Sequence, residues 1–455
     1  MIFLKRRRLI TWLLKAYLKK WRKTILVSFI LGLAVFFILR FGVNYFIPLI
    51  PFTQQETVGL TGAYTVDDIP SSILSKVSRG LTYIADNDMP KPDLASSWEI
   101  KNNGKTYIFH LKKNITFSDG AKFTSEQIKY NFLNVTIERP DAYTIIFNLK
   151  DSYSPFLVTV SRPIFRSGFN GIGDFKVQSV NLNGNFVQSL SLVSTKGKSN
   201  EILYQFYPTE ESLKTAFALG EVDKLIGIRD LNTDGKNLSS FKNVTILKQV
   251  NYSDLVTLFY NTQDKTLSDK RLREALSYTM PDSFLNGKRN YGPFSPNSWV
   301  TEDGLTTYTQ DFEHAKLLLS ESDSSSKGAT LTLELKALRK YKSLAYQIKS
   351  LWKKEGIETN IKIVDSFPAD FQVFLGEFNV ANDPDQYTLW HSSQINQNNI
   401  TNYKNLRIDK LLEDGRQTVD INERKKIYTD FQKYLLDDAP ATFLYFPYEY
   451  DVTRK

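Results

Sequence analysis

Apolar side chains occupy every second position in several short segments of the chain, which is the pattern of a β-strand with one buried face. In residues 106–112 these positions are Tyr107, Phe109 and Leu111. The preceding residues 102–105 read NNGK, a turn signal with glycine at its third position. We therefore predict a β-hairpin with its turn at residues 102–105.

Other segments follow the period of an amphipathic helix. Leu344, Ile348, Leu351 and Trp352 form one apolar stripe, which Gly356 ends. Further helices are predicted at residues 69–80, 210–220 and 422–438. Two more are predicted from their first residues, one after a cap at Asp269 and one after a capping box of Thr124 and Gln127. Strands are predicted at residues 58–60, 142–150, 255–261 and 357–363. Short strands alternating with helices from residue 57 onward predict an α/β protein.

The basic charge of the chain is confined to its N-terminus. The net charge is +9, yet no acidic residue precedes Glu56, and ten cations do: Lys5, Arg6, Arg7, Arg8, Lys15, Lys19, Lys20, Arg22, Lys23 and Arg40. The remainder of the chain therefore carries about −1, with no general basic surface. We expect no nucleic-acid partner.

An apolar segment follows these cations. Residues 25–50 contain a single charged residue, Arg40, and about 20 apolar residues suffice to cross a bilayer as a helix. We predict one transmembrane helix at residues 25–50 that acts as an uncleaved signal anchor, a cleaved signal peptide being the alternative. Because nine cations precede it, residues 1–24 are expected in the cytoplasm and the large domain outside the cell membrane.

The sequence contains no recognisable catalytic or metal-binding motif. It has no cysteine, and its three histidines, His110, His314 and His391, lack the spacing of metal ligands. Phosphate-binding and nucleophile motifs are also absent from the sequence. We expect no enzyme activity, no cofactor and no metal.

Residues 94–132 carry a longer pattern, LASSWEIKNNGKTYIFHLKKNITFSDGAKFTSEQIKYNF. It resembles the signature of family 5 extracellular solute-binding proteins, "LAxSWE…DGKTYTFxLRxGVxFxDGxPxTAEDV". Three later segments resemble further family motifs in the same order: DAYTIIFNLKDSYSPFL at 141–157, ALGEVD at 218–223 and DKRLREALSYTM at 269–280. The resemblance extends over about residues 57–450.

This resemblance implies the architecture. We expect a two-lobed α/β fold of the periplasmic-binding-protein type (type II, mixed sheets), preceded by the transmembrane helix. Lobe 1 would comprise residues 56–261 with a short return at 441–455, and lobe 2 would comprise residues 262–440. The hinge would lie near residues 260–261.

The resemblance also indicates a binding segment. Residues 382–390, NDPDQYTLW, are similar to the family's "WxxDxxDPxxF", which lines the cleft between the lobes. In peptide-binding members the first aspartate of this pattern pairs with the α-amino group of the ligand, but Val380 stands at that position here. Either Asp383 or Asp385 replaces it, or this protein does not hold a free N-terminus in that way.

Aromatic side chains complete the candidate site. They offer contact area without demanding one peptide sequence, although aromatic residues are equally common in cores. The candidate ligand-binding residues are Asp383, Asp385, Tyr387, Trp390, Tyr260, Asn261, Phe294 and Trp299.

By resemblance, the expected function is that of a membrane-anchored receptor of an ABC importer. It would capture short peptides between its lobes and deliver them to permease subunits, although relatives with this fold also take metal chelates or sugars. A second hypothesis is an interaction or sensor protein that uses the same fold without transport. This second hypothesis is favoured by Val380, which stands where the family has an acidic residue.

Overall fold

The computed structural model describes residues 2–38, 40, 54–196, 200–233, 235–300, 304–322 and 331–455. The chain divides into two compact units, Met1–Gln54 and Gln55–Lys455. In the first, helix α1 (Ile2–Phe37) covers the basic segment and the first half of the predicted span. Among the residues described, no helix is both long and apolar enough to cross a membrane. Residues 39 and 41–50 of the predicted span lie outside the described residues.

The second unit combines helices and strands throughout its length. Its helices are α2 (Ser71–Val77), α3 (Phe156–Thr159), α4 (Glu210–Leu219), α5 (Lys270–Tyr278), α6 (Phe312–Glu321), α7 (Lys342–Lys354), α8 (Tyr387–Trp390), α9 (Leu406–Gln417) and α10 (Ile421–Asp438). Its strands, the first beginning at the unit boundary, are β1 (Gln54–Thr61), β2 (Thr82–Ile84), β3 (Pro90–Pro92), β4 (Ala95–Lys101), β5 (Thr106–Leu111), β6 (Val135–Asp141), β7 (Thr144–Leu149), β8 (Phe175–Asn183), β9 (Phe186–Ser194), β10 (Asn200–Tyr207), β11 (Lys224–Ile228), β12 (Asn232–Thr233), β13 (Lys236–Asn237), β14 (Val244–Val250), β15 (Asp254–Tyr260), β16 (Gly287–Arg289), β17 (Thr332–Leu338), β18 (Glu358–Val364), β19 (Val373–Asn379) and β20 (Ala441–Arg454).

The predicted hairpin is confirmed as β4 and β5, which belong to a sheet of order β4-β5-β7-β6. Its turn places Asn103 at φ +52° and Gly104 at φ +83°, the left-handed region that asparagine and glycine tolerate best. Tyr107, Phe109 and Leu111 are all buried on one face, as their spacing predicts. This small sheet has its own hydrophobic core.

The helix predicted after Thr124 is wrong in length. The capping box between Thr124 and Gln127 is present, but it opens only a single 3-10 turn. Ile128 then takes up extended backbone and is buried in the core of the small sheet. Burial of Ile128 thus ends the turn, which the local capping signal could not reveal.

A large mixed sheet forms the centre of the second unit. Its main path, within the described residues, has the order β18-β17-β19-β15-β20-β11-β1-β10-β9-β8, with β14 and β16 also pairing with β20. The last strand, β20, pairs with two strands at different places along its length. Ala441 to Tyr445 pair with β15, and Tyr448 to Arg454 pair with β14. The C-terminal segment is therefore a strand that connects both parts of the protein.

The helices predicted beyond the hinge are confirmed with small shifts of their ends. Asp269 caps α5 by accepting a hydrogen bond from the backbone N–H of Arg271. Helix α7 buries Leu344, Ile348 and Trp352 against the large sheet. Gly356, at φ +76°, then turns the chain into β18.

Arg229 joins the two sides of the large sheet. It follows β11, and its guanidinium lies 2.7 Å from the carboxylate of Asp254 and 2.7 Å from that of Glu377 on β19. Glu449 on β20 is 3.7 Å away. Because these groups are largely buried, their attraction is weakly screened by solvent, and it fixes strands of lobe 1 against strands of lobe 2.

Candidate functional site

The segment similar to the family's binding motif, residues 382–390, begins after β19 and includes α8. Its two aspartates are fixed by short backbone hydrogen bonds. The N–H of Asp385 donates to Asp383 Oδ1 at 3.0 Å, and the N–H of Tyr387 donates to Asp385 Oδ1 at 3.2 Å. These turns hold both carboxylates in defined directions, and each carboxylate meets an arginine.

Asp383 pairs with Arg424 of α10 inside the protein. Arg424 Nη2 lies 2.7 Å from Asp383 Oδ1, and Nη1 lies 3.1 Å from Oδ2. Burial by itself lowers the pKa of Arg424, and the Asp383 carboxylate reverses this effect, so that the pKa is raised overall. Arg424 also lies 5.2 Å from the centroid of the Trp299 ring. A two-point buried pair of this kind fixes geometry.

Asp385 pairs with Arg416 near the end of α9, through one oxygen only. Arg416 Nε and Nη2 lie 2.9 and 2.8 Å from Asp385 Oδ2. The Arg416 side chain is 28% exposed, against 6% for Arg424, whereas that of Asp385 is 6% exposed. Burial raises the pKa of Asp385, and Arg416 opposes that rise. The two neighbouring ion pairs therefore differ in geometry and in access to solvent.

Arg416 is also packed on aromatic rings. Its guanidinium carbon lies 4.1 Å from the ring centroid of Tyr387 and 5.6 Å from that of Tyr153 in lobe 1. Both contacts are within the range of cation–π attraction. The pKa of Tyr153 is raised by burial and, second, by Asp385. Arg416 therefore stands where the two lobes meet.

A cavity of about 450 Å³ opens beside Arg416. Arg416 comes from α9, and the other lining residues all lie between positions 132 and 159 of the chain. The lining of the cavity includes the apolar side chains of Phe132, Leu133, Val135, Leu149 and Phe156 and the charged side chains of Lys150, Asp151 and Arg416. An apolar wall with a few charged groups suits a small polar molecule with an apolar body.

Direct hydrogen bonds join the lobes next to the cavity. The N–H of Ser154 donates to the carbonyl oxygen of Arg416 at 2.8 Å, and its hydroxyl donates to the carbonyls of Arg416 and Thr418. The turn at Gly104 approaches Val419 so closely that an added Cβ would lie 2.8 Å from a Val419 methyl group. The structure thus has its lobes in contact along one side of the cavity.

Three of the predicted aromatic ligand contacts lie inside the core. Tyr260 is fully buried and shares a 2.6 Å hydrogen bond with Thr442, and burial raises its pKa to about 12. Phe294 and Trp390 are also buried, in the cluster beneath α10. In the structure these side chains fill space between the sheet and the helices. Their spacing in the sequence could not separate core from cleft.

The other predicted residues lie nearer the surface. Asn261 is partly buried and donates to the carbonyl of Phe371 at 3.1 Å. Trp299 is partly exposed and packs on Tyr428, and Tyr387 stacks on His391 with the ring centroids 4.0 Å apart. Of the eight candidates, Asp385 and Tyr387 are in direct contact with the cavity-lining Arg416.

Val380 is buried and apolar, and its N–H donates to the carbonyl of Ser253 at 2.7 Å. No carboxylate therefore stands at the position that the resemblance assigns to the ligand's amino group. Among the described residues, no cluster of histidine and acidic side chains could hold a metal ion.

Arg416, Arg424 and Tyr153 were not predicted from the sequence. The two arginines lie in helical segments far along the chain from the aspartates that they neutralise. Only an unusual spacing of charges on α9 and α10 could have suggested them, and helix surfaces carry many such charges.

The fold has two α/β lobes that share a mixed sheet, and a cavity lies beside the ion pairs described above. These features define the class of bilobal solute-binding proteins. The chain belongs to family 5 of the bacterial extracellular solute-binding proteins, because the model of the family's middle region matches residues 89–399.

Curated relatives and solved structures agree with this assignment. The chain is 23% identical to the oligopeptide-binding protein AppA of Bacillus subtilis, over 84% of this chain and 83% of that protein. It is 25% identical to the probable D,D-dipeptide-binding periplasmic protein DdpA of Escherichia coli, over 78% of each. The substrate-binding protein CtaP of Listeria monocytogenes superposes with a TM-score of 0.73 at 21% identity, covering 88% of this chain and 94% of that one. NikZ of Campylobacter jejuni, in complex with Ni(L-His), gives a TM-score of 0.71 at 21% identity, with coverages of 89% and 94%.

Proposed function

We propose that the protein is the extracytoplasmic receptor of an ABC importer and captures a small peptide-like solute where its lobes meet. The observation that carries this proposal is the cavity beside Arg416, which is built from both lobes in a member of family 5. AppA of Bacillus subtilis, with similar coverage, has been solved in complex with a nonapeptide. Peptides are therefore the first solutes to consider.

The cavity favours a short solute. Its volume of about 450 Å³ lies in the lower part of the range of about 300–1,000 Å³ that is typical of small-molecule sites. A dipeptide or tripeptide with an apolar side chain would use the wall formed by Leu149 and Phe156, and its charged ends would face Asp151, Lys150 and the Asp385–Arg416 pair.

Capture would depend on an equilibrium between open and closed lobes. The hydrogen bonds from Ser154 to the Arg416 carbonyl would belong to the closed form. A solute that binds both lobes would shift the equilibrium toward closure. The closed form would then dock on permease subunits, and ATP hydrolysis would belong to a separate subunit.

We also propose that residues 25–50 anchor the protein in the cell membrane, with residues 1–24 in the cytoplasm and the lobes outside. Helix α1 brings apolar side chains such as Phe29, Ile30 and Phe36 to an exposed surface, and burial in lipid would satisfy them. The cations that precede them support this orientation.

A receptor that senses solutes without transporting them is the second candidate. Two observations favour it. Val380 stands where the resemblance calls for an acid, and Asp383 is fully engaged with Arg424. Such a protein would retain the closing lobes but would use closure to contact a partner other than a permease.

A thermal-stability screen tests the proposed function. The full-length chain in detergent micelles is heated in the presence of dipeptide and tripeptide libraries, with nickel–histidine, haem and a disaccharide as comparison ligands. A solute present at about 100 times its Kd adds about 2.7 kcal/mol of stability. A rise in Tm with peptides supports peptide capture, a rise with another ligand alone replaces the solute class, and no rise with any ligand contradicts the proposal.

A further inference from the structure

The two aspartate–arginine pairs at the candidate site are built differently although they lie two residues apart. Arg424 binds both oxygens of Asp383 and is enclosed by the core. Arg416 reaches Asp385 through one oxygen and is more than four times as exposed as Arg424. The first geometry suits a fixed structural pair, and the second suits a pair that can separate.

Arg416 stands between Asp385 and the cavity. Its side chain lines the cavity, and Asp385 is not one of the lining residues. One oxygen of Asp385 accepts the N–H of Tyr387, and the other accepts both Arg416 contacts. A positively charged group entering from the cavity would therefore meet Asp385 only where the guanidinium now lies.

We propose that Arg416 is an internal substitute for the cationic group of the solute, and that a small solute with a primary ammonium group displaces Arg416 from Asp385 on binding. This inference rests on the proposed function and adds to it the residue that the solute must displace. It also assigns the acid that replaces the missing carboxylate at Val380.

The exchange is possible because neither ion loses all of its partners. Asp385 is largely enclosed, so an unpaired carboxylate there would be costly, and the ammonium group replaces one positive charge with another. The rings of Tyr387 and Tyr153, whose centroids lie 4.1 and 5.6 Å from the Arg416 guanidinium carbon in the structure, offer the displaced guanidinium alternative cation–π partners. Arg424 is not one of the residues that line the cavity, and both of its terminal nitrogens bind Asp383, so the same exchange at Asp383 is not expected.

Chemical rescue tests this substitution without any knowledge of the solute. In Arg416→Ala the guanidinium is removed and Asp385 is left facing the cavity, so we expect a lower Tm. Ethylguanidinium at millimolar concentration should restore about half of the loss or more, compared with sodium chloride at equal ionic strength. The double variant Arg416→Ala, Asp385→Asn should not respond, because it has no carboxylate to neutralise. Wild type should respond less than Arg416→Ala, because ethylguanidinium must first displace Arg416 there.

A matched pair of solutes tests the displacement itself. A dipeptide and its N-acetylated form are titrated by calorimetry into wild type and Arg416→Gln, which removes the competing charge but keeps a polar side chain of similar length. We expect the preference for the free amine to rise about tenfold in the variant, equivalent to about 1.4 kcal/mol. If Arg416→Gln does not fold, Arg416→Met serves, because it also removes the competing charge.

The outcomes separate the two proposals. If rescue occurs only with Asp385 present and the preference rises, the inference holds. If peptides bind but the preference is unchanged, or if ethylguanidinium acts equally on the double variant, the inference is overturned while the proposed function stands. If no peptide binds wild type or variant, the proposed peptide function fails, and the rescue experiment alone decides whether Arg416 substitutes for a cation.

Discussion

Replacing Arg424 by methionine is the sharpest test of how the candidate site is held together. Methionine matches the length of the aliphatic stem but removes the charge, so Asp383 remains in the core with only the N–H of Asp385 as a hydrogen-bond donor. The hydrogen bond from Arg424 Nε to the carbonyl of Gly415, 2.9 Å long, is lost as well. Both effects destabilise the contact between α9 and α10.

Removing one partner of a buried ion pair costs about 3–5 kcal/mol of folding stability. Unfolding about 400 residues carries an entropy of about 0.8 kcal/mol per kelvin, from about 2.1 cal/mol/K per residue. A loss of about 4 kcal/mol therefore lowers the Tm by about 5 °C.

Tryptophan fluorescence during heating measures this shift on the full-length chain, with Arg416→Met as the matched control. Removal of Arg416, which lines the cavity, would let water reach the Asp385 carboxylate, so the loss of Arg416 should cost less, about 1–2 kcal/mol, or about 2 °C. Adding Asp383→Asn to Arg424→Met removes the unpaired charge and should recover part of the stability. Equal losses at the two arginines, or no recovery in the double variant, would refute the reasoning.

Three further substitutions test other parts of the structure. Gly104→Ala should lower stability by about 1–2 kcal/mol, because φ is +83° there and the new methyl group would meet Val419. Adding Val419→Ala should relieve the contact but not the backbone strain, and denaturant midpoints would measure both effects. Burial raises the pKa of Asp88 from 3.8 to about 6, so its contribution to stability increases as the pH falls from 7 through 6 toward 4. Asp88→Asn should therefore be more stable than wild type at pH 7 by about 1 kcal/mol, and this advantage should disappear toward pH 4. A difference in stability that does not change with pH would contradict the assignment. Tyr260→Phe should cost about 1 kcal/mol of stability, because its hydroxyl bonds to the buried Thr442. Solute affinity measured by calorimetry should stay within about twofold of wild type. A large loss of affinity would show that Tyr260 belongs to the binding site.

Most of the fold could be predicted because local signals and tertiary packing agree. The Asn103-Gly104 turn, the apolar stripe of α7 and the cap at Asp269 all specify the observed elements. The capping box at Thr124 failed because burial of Ile128 outweighs a local signal. The extent of the shared strand β20 was also hidden, since its partners lie far away in sequence.

The candidate site was predicted less completely for a physical reason. The sequence identifies residues 382–390 by resemblance, but it cannot show that Asp383 and Asp385 meet Arg424 and Arg416 across 41 and 31 positions. Nor can it tell that Trp390 faces the core while Tyr387 lies against Arg416. Which side of a short helix faces a cavity depends on long-range packing, and one apolar ring resembles another in the sequence.

Native mass spectrometry of two preparations tests the central claim most directly. Wild type and Asp385→Asn are purified in parallel from the natural host, released from detergent in the spectrometer and examined for bound small molecules. Wild type should carry a set of short peptides with free amino groups, and Asp385→Asn should carry fewer than about a tenth as many, because the carboxylate that neutralises them is gone. Equal occupancy in the two preparations, or an empty wild type that also binds no added peptide, would contradict the account.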